Sequence, residues 1–335
     1  MKRRFLVVTV MSLFLMSSLL CASSDAQAQS KAAKKKYVIG ASLVSKDNQW
    51  WATAGKFLTQ AAEREGVELV LLWAGGNQEK QVKDIEDLIQ RKVDGILMGP
   101  VQQAGSMVAV DAVAEANIPV VTFGRRSNSK KANAEVFYNE AQFGINQVQQ
   151  IVKDFPNGAN IVYLFGPVGA GYAIQQYEDG FLKELKKYPK LKLLDTYKHE
   201  NDTTALGMKN AEDALIRFSD VNAFASCNDD MGFGAIRAIE AAGKGGKIKV
   251  YGSTAVPIGL QAIYDGKMVF TNLKSTASVA AKSLDLLLKI LNGEKVQNVN
   301  LIDPVAITKE NLLTLKDPGF SGTIDNPGTW QPGKK

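Results

Sequence analysis

Histidine and cysteine are nearly absent: His199 is the only histidine, and Cys21 and Cys227 are the only cysteines, in 335 residues. No His/Cys group therefore has metal-ligand spacing, and a Ser–His–acid or Cys–His relay has almost nothing to draw on. The nucleophile elbow G-x-S-x-G and the phosphate loop G-x-x-x-x-G-K-[ST] are both missing. "GPVGAG" at 166–171 is the nearest glycine-rich turn; it lacks the dinucleotide order and reads as a tight strand-to-helix connection. "GKGGK" at 243–247 reads as a solvated turn. Carboxylates such as Asp47, Asp229 and Asp230 remain, and Asp229 or Asp230 reads as the cap of a helix starting there. An enzyme is not expected, and neither a cofactor nor a metal is.

Long apolar runs are scarce too, apart from one at the start. Lys2, Arg3 and Arg4 precede "FLVVTVMSLFLMSSLL", and "AQA" at 26–28 has the small-x-small form of a signal-peptidase site. Residues 1–28 are thus expected to be a signal peptide, with export to the periplasm. A lipoprotein anchored at Cys21 is the weaker alternative, because Leu20 is not the small residue such a site normally has before its cysteine. Without the signal, Cys227 stands alone and no internal disulfide can form.

Excess charge of one sign is also lacking. The formal +6 falls to +4 when Lys2, Arg3, Arg4 and Asp25 are removed, and Lys31, Lys34, Lys35 and Lys36 account for the rest. Residues 29–36 read as a basic disordered start. From residue 37 onward acids and bases balance, so a basic nucleic-acid face is not supported.

What the chain does have is rhythm. "YVIGASLV", "VELVLLWA", "VDGILMGP" and "IPVVTFG" are short apolar runs of the kind buried on both faces of a parallel sheet. Amphipathic stretches lie between them; in "QEKQVKDIEDLIQRK", Val82, Ile85, Leu88 and Ile89 share one face. The rhythm restarts with "ANIVYLFG", "LKLLDTYK", "AFASCND" and "IKVYGST", and helices read at 172–187, 203–218 and 230–242. "MVFTNLK", a helix at 275–292 and "VNLIDPVAI" follow, then a Gly/Pro-rich tail over 316–335. The expectation is an α/β protein of two similar doubly wound parallel-sheet lobes, with ligands outside the carboxyl ends of the strands.

The residues at those strand ends resemble the periplasmic sugar-binding receptors of the ribose-binding type, the type I periplasmic binding proteins that act as substrate-binding components of ABC transporters. They share their fold with the ligand domain of LacI repressors; an export signal stands here where a repressor has its helix-turn-helix. Asp47-Asn48-Gln49-Trp50-Trp51 occupies the place of the family's Asn-Asn-Pro-Phe-Phe, and "IPVVTFGRR" that of its fourth strand and Asp-Arg. Asn228-Asp229-Asp230-Met231-Gly232-Phe233-Gly234-Ala235 matches its Asn-Asp-x-Met-x-x-Gly-Ala, and "GKMVFTN" and "LNGEKV" are also similar. The similarity runs from about Tyr37 to Thr308.

The resemblance implies three crossovers near 138, 274 and 303, an N-terminal lobe of 37–138 plus 275–303, and a C-terminal lobe of 139–274 plus 304–315. It implies ligand contacts at Asn48, Trp50, Trp51, Arg125, Gln175, Asn228, Thr254 and Lys274. One tryptophan is expected to line the cleft fully as a stacking platform and the other partly. A monomer would close over its solute by hinge bending and present the closed form to the permease of an ABC importer, or alternatively to a sensor kinase or chemoreceptor.

Five positions depart from the family pattern. Gly124 stands for an Asp, Thr254 for an Asp, Gly99 for an Asn, and Gln175 for an Arg, while Lys274 falls where a neutral Gln is usual. Arg125 and Lys274, left without acids, would be costly to desolvate unless the ligand brought the missing charge. That argument points to a sugar acid or sugar phosphate. Its counter-reading pairs Arg126 with Glu140 at the surface and lets Lys274 reach out to solvent.

Overall fold

The computed structural model describes residues 37–166, 172–198, 203–321, 323 and 325–333. The signal, Cys21, the lysine cluster, His199 and most of the 166–171 turn lie outside the described residues.

The first lobe is built on a six-stranded, all-parallel sheet in the order β11-β5-β4-β3-β1-β2. Its strands are β1 (Val38–Leu43), β2 (Glu68–Trp73), β3 (Gly95–Met98), β4 (Val120–Phe123), β5 (Ala134–Tyr138) and β11 (Val299–Ile302). The central β3 and β4 are buried throughout, as two-sided coverage demands. Helix α1 (Gln49–Glu65) follows β1, α2 (Gln78–Gln90) follows β2, and α3 (Ser106–Glu115) follows β3. Ile85 and Leu88 of α2 reach zero exposure in a cluster with Ile96, Met98, Val110, Val113 and Val120.

The second lobe carries a four-stranded parallel sheet, β7-β6-β8-β9. It uses β6 (Ala159–Phe165), β7 (Leu191–Lys198), β8 (Ala223–Ser226) and β9 (Lys249–Tyr251). Helices α4 (Glu140–Asp154), α5 (Tyr172–Leu185), α6 (Thr204–Arg217), α7 (Asp229–Ala241) and α8 (Pro257–Tyr264) surround it. Buried Gln147 ties α4 to this sheet by donating to the carbonyls of Ser226 (2.7 Å) and Gly252 (2.8 Å).

Three passages join the lobes. The chain leaves the first sheet at Tyr138 and enters α4. It returns through β10 (Thr271–Leu273) into α9 (Thr276–Leu291), which packs on α1, β3, β4 and β5. From β11 it crosses again to β12 (Val305–Ile307), antiparallel to β10. Beyond that, β13 (Lys316–Asp317), the single turn α10 (Pro318–Ser321) and β14 (Gly328–Thr329) punctuate the tail. Among the described residues no helix is long and apolar enough to cross a membrane.

Candidate functional site

Both sheets reverse strand order at the same relative place, between β1 and β3 in one and between β6 and β8 in the other. Ligands of open parallel sheets sit in the crevice at that reversal. The residues that follow β1, β3 and β8 are Asn48–Trp51, Gly99 and Cys227–Asn228.

On the first lobe the two tryptophans divide their work. Asn48 is exposed and caps α1, its Oδ1 accepting from the Trp51 backbone N–H at 3.2 Å. Successive helix residues point about a hundred degrees apart, and the outcome is asymmetric. Trp51 is only 3% exposed, belongs to the lobe's own core and packs 5.8 Å from Phe123. Of the pair expected to line the cleft, one fully and one partly, Trp51 is the ring turned into the core, where Gly99 and Gly124 leave it room. Trp50 is half-buried, edge-on to Trp51 at 4.6 Å and to Tyr138 at 6.4 Å.

These rings explain two of the five departures. A Cβ at Gly99 would stand 2.2 Å from Cζ3 of Trp51. At Gly124, whose φ is +75°, a Cβ would stand 2.8 Å from the Cη2 atoms of both Trp50 and Trp51. No side chain fits at either strand end beside this tryptophan pair, so the glycines and the tryptophans form one set.

The cations are not left bare. Lys274 Nζ donates to Glu140 Oε1 at 2.9 Å and lies 4.6 Å from the Tyr138 ring centroid and 5.5 Å from that of Phe143. This corrects the expectation of an acid-free Lys274; α4 begins at the crossover and places Glu140 beside it. Arg126 lies over the Phe137 ring at 4.4 Å, while Glu140 is the partner of Lys274. Arg125 is exposed, donates to the Val101 carbonyl at 2.7 Å and faces the Trp51 ring at 5.8 Å.

The second lobe's strand ends are polar and buried. Asn228, 9% exposed, caps α7 through Oδ1, which accepts from Met231 N–H at 2.8 Å. The cap is thus Asn228, not Asp229 or Asp230. Asp229 instead has zero exposure; its carboxylate accepts from Thr271 Oγ1 at 2.6 Å and from Val256 N–H at 2.9 Å. Burial pushes its pKa up to about 8, against the Thr271, Val256 and Ser253 donors that pull it down. The loop it holds is unusual: Thr254 has φ +102° and Ala255 +52°, conformations a β-branched residue rarely adopts. Thr254 N–H donates to Asn272 O at 3.0 Å, next to β10. Gln175 lies exposed on α5.

The structure therefore brings Trp50, Trp51 and Arg125 together on one wall, and Thr254 and Lys274 into one cavity at the hinge. Asn228 caps its helix at the end of β8, and Gln175 is exposed near the start of α5. Tyr138 is a site neighbour that sequence reasoning missed. It is 4% exposed, and its Oη and Trp50 Nε1 are both buried with no well-aligned hydrogen bond among the described residues. Burial raises the phenol's pKa, tempered by the nearby Trp50 and Thr276. The available signal was an aromatic residue at the end of a crossover strand.

A family model described as a periplasmic binding protein domain matches residues 39–295. The chain belongs to this family. The homologues of this chain are substrate-binding proteins of ABC importers and not enzymes. Similar proteins include the ribose import binding protein RbsB of Bacillus subtilis, 28% identical over 298 residues, covering 89% of this chain and 96% of that one. A xylitol-binding protein of Mycolicibacterium smegmatis is 27% identical, with 75% and 71% covered. Among solved structures, a solute-binding protein of an ABC transporter from Bacillus halodurans with bound myo-inositol is 25% identical. It superposes with a TM-score of 0.65, covering 84% of this chain and 97% of that one.

Proposed function

We propose that this chain is an exported receptor that captures a neutral sugar or sugar-like polyol between its lobes and delivers it to the permease of an ABC importer. The observation that carries this reading is the aromatic wall at the β1–β3 reversal, where Trp50 stands on Trp51 and glycines clear the space beside them. An indole presents an apolar face suited to the C–H side of a sugar ring, while hydroxyls at its edge take hydrogen bonds. Relatives named for ribose and xylitol, and a similar structure holding myo-inositol, support an uncharged polyhydroxy solute.

An anionic sugar has less support. Its premise was uncompensated cations, and Lys274 has Glu140 while Arg125 has the Val101 carbonyl and an indole face. The N-terminal residues 1–28 fit a leader that takes the chain to the periplasm.

The reading is tested by melting-temperature shifts of the chain from Gln29 with neutral sugars, polyols, sugar acids and sugar phosphates. A ligand that binds only the folded form raises the melting temperature. Neutral sugars or polyols should raise it, and Trp50→Ala should abolish the effect. Shifts from anionic sugars alone would instead return Arg125 to the role of charge partner.

A further inference from the structure

The family model stops at residue 295, so the last described parts of the chain, 316–321, 323 and 325–333, are not covered by it. This stretch is fastened at both ends to different parts of the molecule. At one end Asp317, 7% exposed, accepts a hydrogen bond from Ser275 Oγ at 2.6 Å. Ser275 is the N-cap of α9, which packs on the first lobe. At the other end Trp330, also 7% exposed, meets Tyr264 of α8 at 5.9 Å, and Gly333 N–H donates to Gln261 Oε1 at 3.3 Å. Helix α8 packs on α7 in the second lobe. The β13–β14 pairing, Lys316 opposite Thr329 and Asp317 opposite Gly328, holds the two ends together.

Between this segment and the hinge lies a cavity of about 570 Å3, within the ordinary size of a small-molecule site. Thr254 and Lys274 line it from the body of the protein, and Phe320, Trp330 and Gln331 line it from the tail. Thr254 and Lys274 thus share one space with two aromatic rings and an amide that lie beyond the stretch matched by the family model. The lining joins apolar faces to a hydroxyl, an amide and the Glu140-paired ammonium of Lys274, groups that can hold a polyhydroxy solute.

We propose that the tail residues Gly319, Phe320 and Gly328–Gln331 form a working wall of a solute-binding space at the hinge, and that Trp330 selects among sugars and polyols by their size there. This rests on the receptor function proposed above. An indole in this position limits the length of solute that fits against Thr254. Replacing it with a methyl group opens the cavity to longer solutes and removes a face from shorter ones.

The test uses calorimetric titration of the mature chain, Trp330→Ala and Trp330→Phe with a pentose, a six-carbon polyol and a disaccharide. Trp330→Ala should shift the affinity ratio of long to short solutes by about fivefold or more, a change of about 1 kcal/mol. Trp330→Phe should restore most of it, because a ring returns to the wall. Equal losses for all solutes would mean that Trp330 only holds the fold, and unchanged affinities that it lies outside the site; either overturns the proposal. A chain whose binding depends on Trp50 but whose ratios ignore Trp330 loses this proposal and keeps the receptor reading. A chain that binds none of the three loses both.

Discussion

The two lobes finish their site-facing strands in opposite chemistries. The first ends in rings: Trp51 is driven into the core between Gly99 and Gly124, with Trp50 outside it. The second ends in a buried polar knot, in which Asp229 gathers Thr271 and the 253–256 loop around one carboxylate. Rings pack without regard to pH, whereas a carboxylate with zero exposure responds to it. One wall is specified by shape and the other by proton and hydrogen-bond bookkeeping.

The largest effect that would break this contrast is a pH dependence traced to the second lobe. Asp229 has a folded pKa raised from 3.8 to about 8. The folded state then holds a proton that the unfolded state has released, so the stabilisation is complete below the unfolded value and is lost as pH rises through the folded one. Chemical unfolding from pH 4 to pH 8 should show stability falling by about 1 kcal/mol per pH unit from this group. In Asp229→Asn that slope should vanish. A slope unchanged by the substitution would show that another group carries it and that the knot is not proton-linked.

The next effect belongs to the first lobe. Gly99→Ala places a Cβ 2.2 Å from a ring atom of buried Trp51, and overpacking of this kind costs about 3 kcal/mol. Trp51→Phe shortens the ring, so Gly99→Ala in that background should cost clearly less than in the parent. Additive losses would mean that the ring moves freely and that glycine and tryptophan are not a set.

Much of this arrangement is legible in the chain. Buried strands such as Gly95–Met98 and Val120–Phe123 read directly as apolar runs. The helices read at 172–187, 203–218, 230–242 and 275–292 appear as Tyr172–Leu185, Thr204–Arg217, Asp229–Ala241 and Thr276–Leu291. The tryptophan pair announces the first wall. What is illegible depends on long-range contact. Nothing local tells that Glu140 meets Lys274 across 134 positions, or that Asp229 holds Thr271 rather than its own helix end. Glycines at 99 and 124 look like lost ligand groups until the rings that displace a side chain are in place. Tyr138 shows its importance only through its place beside Trp50 and Lys274, which no local pattern announces.

The contrast can be sharpened by two residues of the same type in the same role. Asn48 and Asn228 each cap the helix after a site-facing strand, one exposed and the other 9% exposed. Replacing an exposed cap by alanine costs about 0.5–1 kcal/mol. Replacing the buried one also strips the Met231 N–H of its acceptor away from water, so Asn228→Ala should cost about 2 kcal/mol. Unfolding of the two variants without solute measures the difference, and equal losses would show that the second lobe's strand end is open to water.

The smallest effect lies where the two walls meet. Lys274 leaves the β10 crossover and Glu140 opens the helix after the β5 crossover, so their ion pair links two of the three passages between lobes. Its side chains remain 32% and 19% exposed, and water therefore screens most of the attraction. A double-mutant cycle of Lys274→Gln and Glu140→Gln should give a coupling of about 0.5 kcal/mol. The ammonium also faces the Tyr138 and Phe143 rings, an interaction worth about 0.5–1 kcal/mol at such a site, so Lys274→Gln should cost more than Glu140→Gln. The reverse order would mean that Glu140, not the aromatic pair, fixes Lys274. The hinge would then be governed by charge, as the second lobe is, rather than by the rings that build the first.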